Sequence, residues 1–318
     1  MSTTRSFFAL RNTVSKARLH TTRSLCENAK PSAKDLGISR VGVLGAGQMG
    51  AGIGLVAARM AKVPVTFVDA NPVQLEKSSK FLQALLDKDI SKGRLTGEEK
   101  EEIMGRMTWS EKVEEFNSAN FVIEAVSENV DLKRKLFGIL SEVTTPETIL
   151  ATNTSSISIT NIAAASSRPE KVIGMHFMNP VPVMKLVEII PGLATDENTL
   201  KTTLGLSQAM GKVTTTSQDV PGFIANRLLM PYINEAVIAL EQGIATKEDI
   251  DTTMKLGTNN PMGPLTLADF IGLDTCLAIM RVLHTELGDT KYRPAVLLKK
   301  YVDAGWLGKK SGRGFYQY

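Results

Sequence analysis

Beyond residue 30, apolar residues gather in the short run Val41-Gly42-Val43-Leu44 and then recur in blocks separated by stretches of helical character. With Arg40 before it, the first run reads as a buried strand that ends in Gly45-Ala46-Gly47-Gln48-Met49-Gly50. A helix is expected from about Met49 to Ala61, then a second strand, Pro64 to Val68, ending at Asp69. The alternation continues with helix near Pro72 to Asp89, strand at Phe121 to Ala125 and helix at Val130 to Val143. Strands at Ile149 to Thr152, Lys171 to Phe177 and Lys185 to Ile190 follow. Such an order predicts an α/β fold: a Rossmann-type, mostly parallel sheet covered by helices.

The pattern changes after Gln218-Asp219-Val220-Pro221-Gly222. Leu229, Ile233, Val237 and Leu240 recur at helical spacing, Thr246 stands where a helix N-cap is expected, and Asn260 to Pro264 reads as a turn before a third helix. A dinucleotide-binding domain over 36–217 followed by an all-helical C-terminal domain over 218–318 is the expected organisation.

Composition adds a distinct N-terminus. Over 318 residues, 43% hydrophobic and 22% charged residues are those of a soluble globular protein. The most apolar charge-free stretch, Val41 to Ala58, is broken by Gln48 and repeated glycines, so no membrane insertion is expected. A formal charge of +4 would suggest an acidic partner, but the excess is local. Arg5, Arg11, Lys16, Arg18, Arg23 and Lys30 face only Glu27 within residues 1–30, and the remainder is nearly neutral. Nucleic acid is therefore not expected as a partner. The Ser/Thr/Arg-rich, acid-poor segment 1–30 has the composition of a transit peptide, with the mitochondrial matrix as destination. The two cysteines, Cys26 and Cys276, leave no Cys-rich metal site, and Cys276 beside Leu277 to Met280 reads as a small core residue.

Chemistry enters with the glycine turn. Gly45 permits a tight strand-to-helix turn, Gly47 lets the backbone approach a pyrophosphate, and Gly50 allows close helix-to-strand packing. Asp69 follows the last glycine at the spacing where a carboxylate meets ribose hydroxyls, and it would repel a 2′-phosphate. NAD rather than NADP is the expected cofactor.

Of the histidines His20, His176 and His284, the second ends an apolar strand. Asn179-Pro180-Val181-Pro182 forces a turn after it, and the next strand carries Glu188. If the two strands lie side by side, His176 and Glu188 fall opposite each other with Cβ atoms about 5 Å apart. The carboxylate would then hold one ring nitrogen and leave the other to accept a proton. Alcohol oxidation needs such a pair beside a hydride acceptor.

These residues, together with Ile123-Glu124-Ala125-Val126, Asn153-Thr154-Ser155-Ser156, His176 to Pro182, Pro221-Gly222-Phe223-Ile224-Ala225-Asn226-Arg227 and Pro261-Met262-Gly263-Pro264, resemble the 3-hydroxyacyl-CoA dehydrogenase family over about residues 38–318. The stretch from Leu265 to Tyr318 is most similar to its short-chain 3-hydroxybutyryl-CoA branch. The resemblance implies an NAD-linked enzyme that interconverts (3S)-3-hydroxyacyl-CoA and 3-oxoacyl-CoA in fatty acid β-oxidation or related metabolism, and a homodimer formed through the helical domain. It implies His176 as general base, Glu188 as its orienting acid, and Ser155 and Asn226 as substrate contacts. The loop residues Gly45, Ala46, Gly47, Gln48, Met49 and Gly50, with Asp69, Glu128, Lys133, Asn179 and Lys310, are implied to bind the dinucleotide, and Lys92 the CoA portion. Leu85 stands where some relatives carry a CoA-contacting serine. On the residues alone, Ser155 reads as a turn cap, Asn226 as a helix N-cap, and Lys92, Lys133 and Lys310 as solvated surface lysines. Two other functions fit the scaffold: a dehydrogenase of a small hydroxy acid without CoA, and a crystallin-like structural protein.

Overall fold

Eight strands build one sheet in the order β3-β2-β1-β4-β5-β6-β7-β8. They are β1 (Val41–Leu44), β2 (Val65–Val68), β3 (Met107–Ser110), β4 (Phe121–Glu124), β5 (Ile149–Thr152), β6 (Val172–Phe177), β7 (Leu186–Pro191) and β8 (Val213–Thr216). The computed structural model describes residues 31–318, which form one compact unit; the expected leader over 1–30, with His20 and Cys26, lies outside the described residues. All neighbouring strands run parallel except β6 and β7. Every residue of β1, β2, β4 and β5 is buried, as a parallel sheet covered on both faces requires.

Helices α1 (Gln48–Val56), α2 (Pro72–Ser91), α3 (Gly97–Gly105), α4 (Val130–Val143), α5 (Ile159–Ala163) and α6 (Glu197–Ala209) connect the strands. α1 continues as a π-helical turn to Ala61, and the chain leaves it through Lys62 in the left-handed conformation. Asn71 and Asn129 cap α2 and α4 through their side chains, satisfying free amides of the first turn.

Strand order reverses between β1 and β4, so the loops that leave these two strands part and open a crevice at their C-terminal ends. Gly45 lies at that point with φ +98°, and a Cβ there would stand 2.7 Å from the Ala125 carbonyl oxygen. Only glycine suits both the backbone and the space.

Beyond the sheet come α7 (Ala225–Glu241), α8 (Lys247–Gly257), α9 (Pro264–Ile271), α10 (Leu273–Leu287) and α11 (Val296–Asp303). They pack around their own core of Met230, Ile233, Val237, Leu265, Leu277 and Leu283. Thr246 caps α8 as its position suggested. Cys276 is fully buried in α10, and burial pushes its thiol up to about 12, which makes it a packing residue without thiolate chemistry. Among the described residues no helix is long and apolar enough to cross a membrane.

Candidate active site

At the crevice, Gly47 is the N-cap of α1 and supplies no side-chain cap, which leaves first-turn amides free for an anion. A Cβ at Gly47 would meet nothing within 4 Å, whereas one at Gly50 would collide with the Gly45 carbonyl. The loop is thus open towards solvent and closed towards the sheet. Asp69 directly follows β2, with Oδ2 accepting from the Ala46 amide and Oδ1 from the Asn71 amide, each at 2.9 Å. Gln74 donates to the Ala46 carbonyl at 3.0 Å, and Ala46, Gly47, Gln48, Gln74 and Phe81 line a cleft beside it. Free helix amides, an open glycine and a fixed carboxylate fit a dinucleotide bearing a free 2′-hydroxyl. Like charges placed together cost several kcal/mol. NADPH should therefore be used about 100-fold less efficiently than NADH, as kcat/KM for the two cofactors would measure.

His176 and Glu188 are paired residues of the antiparallel β6/β7 ladder, so both side chains leave the same face. His176 Nδ1 lies 2.8 Å from Glu188 Oε2. The imidazole keeps 10% of its side-chain surface, and Nε2 has no hydrogen-bond partner among the described residues. Glu188 is 1% exposed, and its second oxygen accepts from the amides of Ile224 and Ala225 at 3.0 and 2.9 Å, capping α7. Burial pushes the carboxyl pKa up, but the His176 hydrogen bond and the Ala225 and Ile224 amides outweigh it and hold the group below the ordinary glutamate range. A depressed folded pKa stabilises the fold above the ordinary glutamate pKa, and that contribution vanishes as pH falls through the lowered value. Melting curves of the parent and Glu188→Gln should therefore differ most near neutrality and converge in acid.

A second cluster joins the ends of β4 and β5 to α7. Glu128 Oε1 accepts from the Thr154 hydroxyl at 2.6 Å, the Ser155 amide at 2.8 Å and the Ser155 hydroxyl at 3.1 Å. Asn226 donates its side-chain amide to the Ser155 carbonyl at 3.1 Å. It is the second residue of α7 and not its cap, because Glu188 fills that place. Thr154, not Ser155, closes the local turn by accepting from the Ile157 amide. Burial raises the Glu128 pKa, but the Lys133 charge and the Thr154 and Ser155 bonds bring it below the ordinary value.

Lys133 is not a surface lysine. Its side chain has no exposed surface and its ammonium donates to both oxygens of Glu124, at 2.7 and 2.9 Å, with Glu128 at 3.5 Å. Glu124 is equally buried and also accepts from Thr152 and the Val126 amide. Lys133 therefore reaches the crevice only through Glu128. Asn179 accepts from Gln48 at 3.3 Å, linking the turn after β6 to the glycine loop. Lys310 pairs with Asp274 at 2.6 Å within the helical part, and Lys92 is an exposed residue ending α2. Leu85 packs on the sheet core.

The sequence reading gave no role to Glu124, Gln74, Asn153 or Phe223. Asn153 accepts from the Phe177 amide at 2.9 Å, and the Phe223 ring lies 5.9 Å from the His176 ring. An acid ending the otherwise apolar strand Phe121-Val122-Ile123-Glu124 was the one signal available for a buried ion pair.

A crevice that fits a dinucleotide, with an imidazole whose outer nitrogen is free near the C-terminal end of β6 in the same sheet, belongs to a nicotinamide-dependent dehydrogenase. Residues 40–220 match the 3-hydroxyacyl-CoA dehydrogenase NAD binding domain and residues 222–318 the C-terminal domain of the same enzymes. The chain belongs to the 3-hydroxyacyl-CoA dehydrogenase family. It is 54% identical over 281 residues to a probable 3-hydroxybutyryl-CoA dehydrogenase of Bacillus subtilis, covering 88% of this chain and 98% of that one. It is 40% identical to the mitochondrial hydroxyacyl-coenzyme A dehydrogenase of Homo sapiens, covering 93% and 96%. The crystal structure of (S)-3-hydroxybutyryl-CoA dehydrogenase from Ralstonia eutropha has a TM-score of 0.86 and 47% identity, covering 88% and 99%.

Proposed function

We infer that this NAD-dependent enzyme reversibly oxidises (3S)-3-hydroxyacyl-CoA to 3-oxoacyl-CoA, with short chains such as 3-hydroxybutyryl-CoA and acetoacetyl-CoA preferred. The observation that carries the reading is the His176–Glu188 pair, one ring nitrogen held at 2.8 Å and the other free. In oxidation His176 Nε2 takes the C3 hydroxyl proton; in reduction it returns one. Glu188 fixes the tautomer and stabilises the imidazolium. The Ser155 hydroxyl and the Asn226 side chain, on segments tied together where the Asn226 amide donates to the Ser155 backbone carbonyl, hold substrate oxygens near the imidazole. When bound, the oxidised cofactor would supply the hydride acceptor for C3 in oxidation and its reduced form the hydride donor in reduction. The loop from Gly45 to Gly50, Asp69, Asn179 and Glu128 line its site, with Lys133 acting from beneath Glu128.

The short-chain preference rests on likeness to relatives named 3-hydroxybutyryl-CoA dehydrogenase. Lys92 and Lys310 are proposed contacts to CoA and dinucleotide on resemblance. The helical part, residues 218–318, is proposed to pair two copies of the chain; Ile224, Leu228 and Phe270 are among its exposed large apolar residues. The composition of residues 1–30 and the mitochondrial human relative support import into the matrix.

The test supplies NADH with 3-oxoacyl-CoA substrates of increasing chain length and follows nicotinamide absorbance. Best turnover is expected on acetoacetyl-CoA. Equal or better turnover of long chains would defeat the short-chain claim, and activity on CoA-free oxo acids alone would defeat the CoA reading.

A further inference from the structure

Lys212 is a buried cation that the chemistry above does not use. It sits between α6 and β8, 8% exposed, with its backbone fixed on both sides. Its amide donates to the Ser207 carbonyl, and the next amide, Val213, donates to the Lys185 carbonyl. Gly211, at φ +74°, makes the bend that turns the chain out of α6. The ammonium donates to the carbonyls of Val181 and Met184 at 2.5 and 2.8 Å, and no carboxylate pairs with it among the described residues. Burial alone pushes its pKa below the ordinary lysine range. An unpaired buried cation is costly, so its place calls for a reason.

The two carbonyls belong to the turn between β6 and β7, which follows His176 and carries Asn179. Pro180 and Pro182 offer no amide donors there, and the Val183 and Met184 amides both turn back onto the Pro180 carbonyl. The carbonyls of Val181 and Met184 are therefore left for an outside donor. On its other side the turn seats on α1: a Cβ on Gly52 would lie 2.9 Å from the Val181 Cβ, so glycine permits the approach. Asn179 then meets Gln48 of the glycine loop.

We propose that Lys212 is a positioning residue for cofactor binding, its ammonium clamping the β6–β7 turn against α1 so that Asn179 and Gln48 are held together at the dinucleotide site. The claim rests on the reading of Asn179 as a dinucleotide contact. The clamp acts on the cofactor more than on the proton, because the His176–Glu188 pair is fixed by the β6/β7 ladder and the α7 amides.

The test measures NADH affinity by nicotinamide fluorescence without substrate, together with kcat at saturating NADH. Lys212→Met should weaken NADH binding about 10-fold, as a small misplacement of a contact does, with kcat kept within about threefold. Lys212→Gln, a milder change that keeps an amide NH2 donor, should weaken it less, and it serves where the methionine variant does not fold. In a cycle with Asn179→Ala the double variant should bind no worse than about twofold below the weaker single variant, since both remove one coupled contact. NADH affinity unchanged in both Lys212 variants overturns the proposal, as does a kcat loss with NADH affinity intact or strict additivity with Asn179→Ala. If Asn179→Ala alone binds NADH like the parent, the reading of Asn179 as a dinucleotide contact fails and the proposal fails with it; weakened binding in Asn179→Ala beside parent-like Lys212 variants overturns the proposal alone.

Discussion

Replacing His176 with glutamine is expected to lower turnover by about 10² to 10⁴ while NADH still binds, the scale of a positioned acid or base. The amide can keep a hydrogen bond to Glu188, so the buried carboxylate is not stranded, but it cannot take up a proton at catalytic pH. The loss should fall on kcat in both directions, since in the proposed mechanism the same nitrogen would accept the proton in oxidation and return it in reduction. NADH binding should hold, because the hydrogen bonds of the glycine loop and Asp69 do not involve His176. Steady-state rates with acetoacetyl-CoA, beside nicotinamide fluorescence, check both parts. Near-normal turnover would remove His176 from the mechanism.

The largest expected effect on stability is at Lys133. Glu124 and Lys133 are both without exposed side-chain surface, and the lysine is the only cation paired with that carboxylate among the described residues. Lys133→Met would leave the glutamate charged, buried and unmatched, a change that costs about 3 to 5 kcal/mol. For a chain of this size that lowers Tm by about 10 °C. Glu124→Gln combined with Lys133→Met removes both charges and should recover part of the loss, because the penalty comes from the unpaired charge more than from the missing attraction. Thermal melts of the single and double variants decide it: a single variant that melts with the parent would mean that Glu124 finds another partner or a proton.

The sheet could be read from the sequence wherever its strands are buried on both faces. β1, β2, β4, β5 and β6 are apolar runs bounded by turn residues, and the pairing of His176 with Glu188, expected from the Asn-Pro-Val-Pro turn and the strand character after it if the two strands lie side by side, is the register found. Elements with little apolar surface were missed. α3 buries only Ile103 along an acidic sequence and is started by a Thr96–Glu99 capping box. β8, Val213-Thr214-Thr215-Thr216, is an edge strand with no buried residue. α6 buries Thr199, Thr203, Gly205 and Ser207 beside Leu206, with Leu200 and Leu204 only partly buried against the core, so its inner face is a mixed one with a weak hydrophobic signal. In the site, sequence placed the residues of the glycine turn and the neighbouring positions of His176 and Glu188 because local geometry sets them. It could not foresee that Lys133 lies beneath Glu128, or that Glu188 and not Asn226 caps α7, since both depend on which distant segments meet.

That last contact has a consequence for how the protein would fail. One carboxylate steadies the imidazole with one oxygen and anchors the first helix of the C-terminal part with the other. Loosening of that part would cost Glu188 two backbone donors and the Ser155 loop its tie to Asn226. Partial unfolding from the C-terminal side should thus silence proton transfer in a molecule that still grips its nucleotide, and heat-damaged protein would read as loaded but idle.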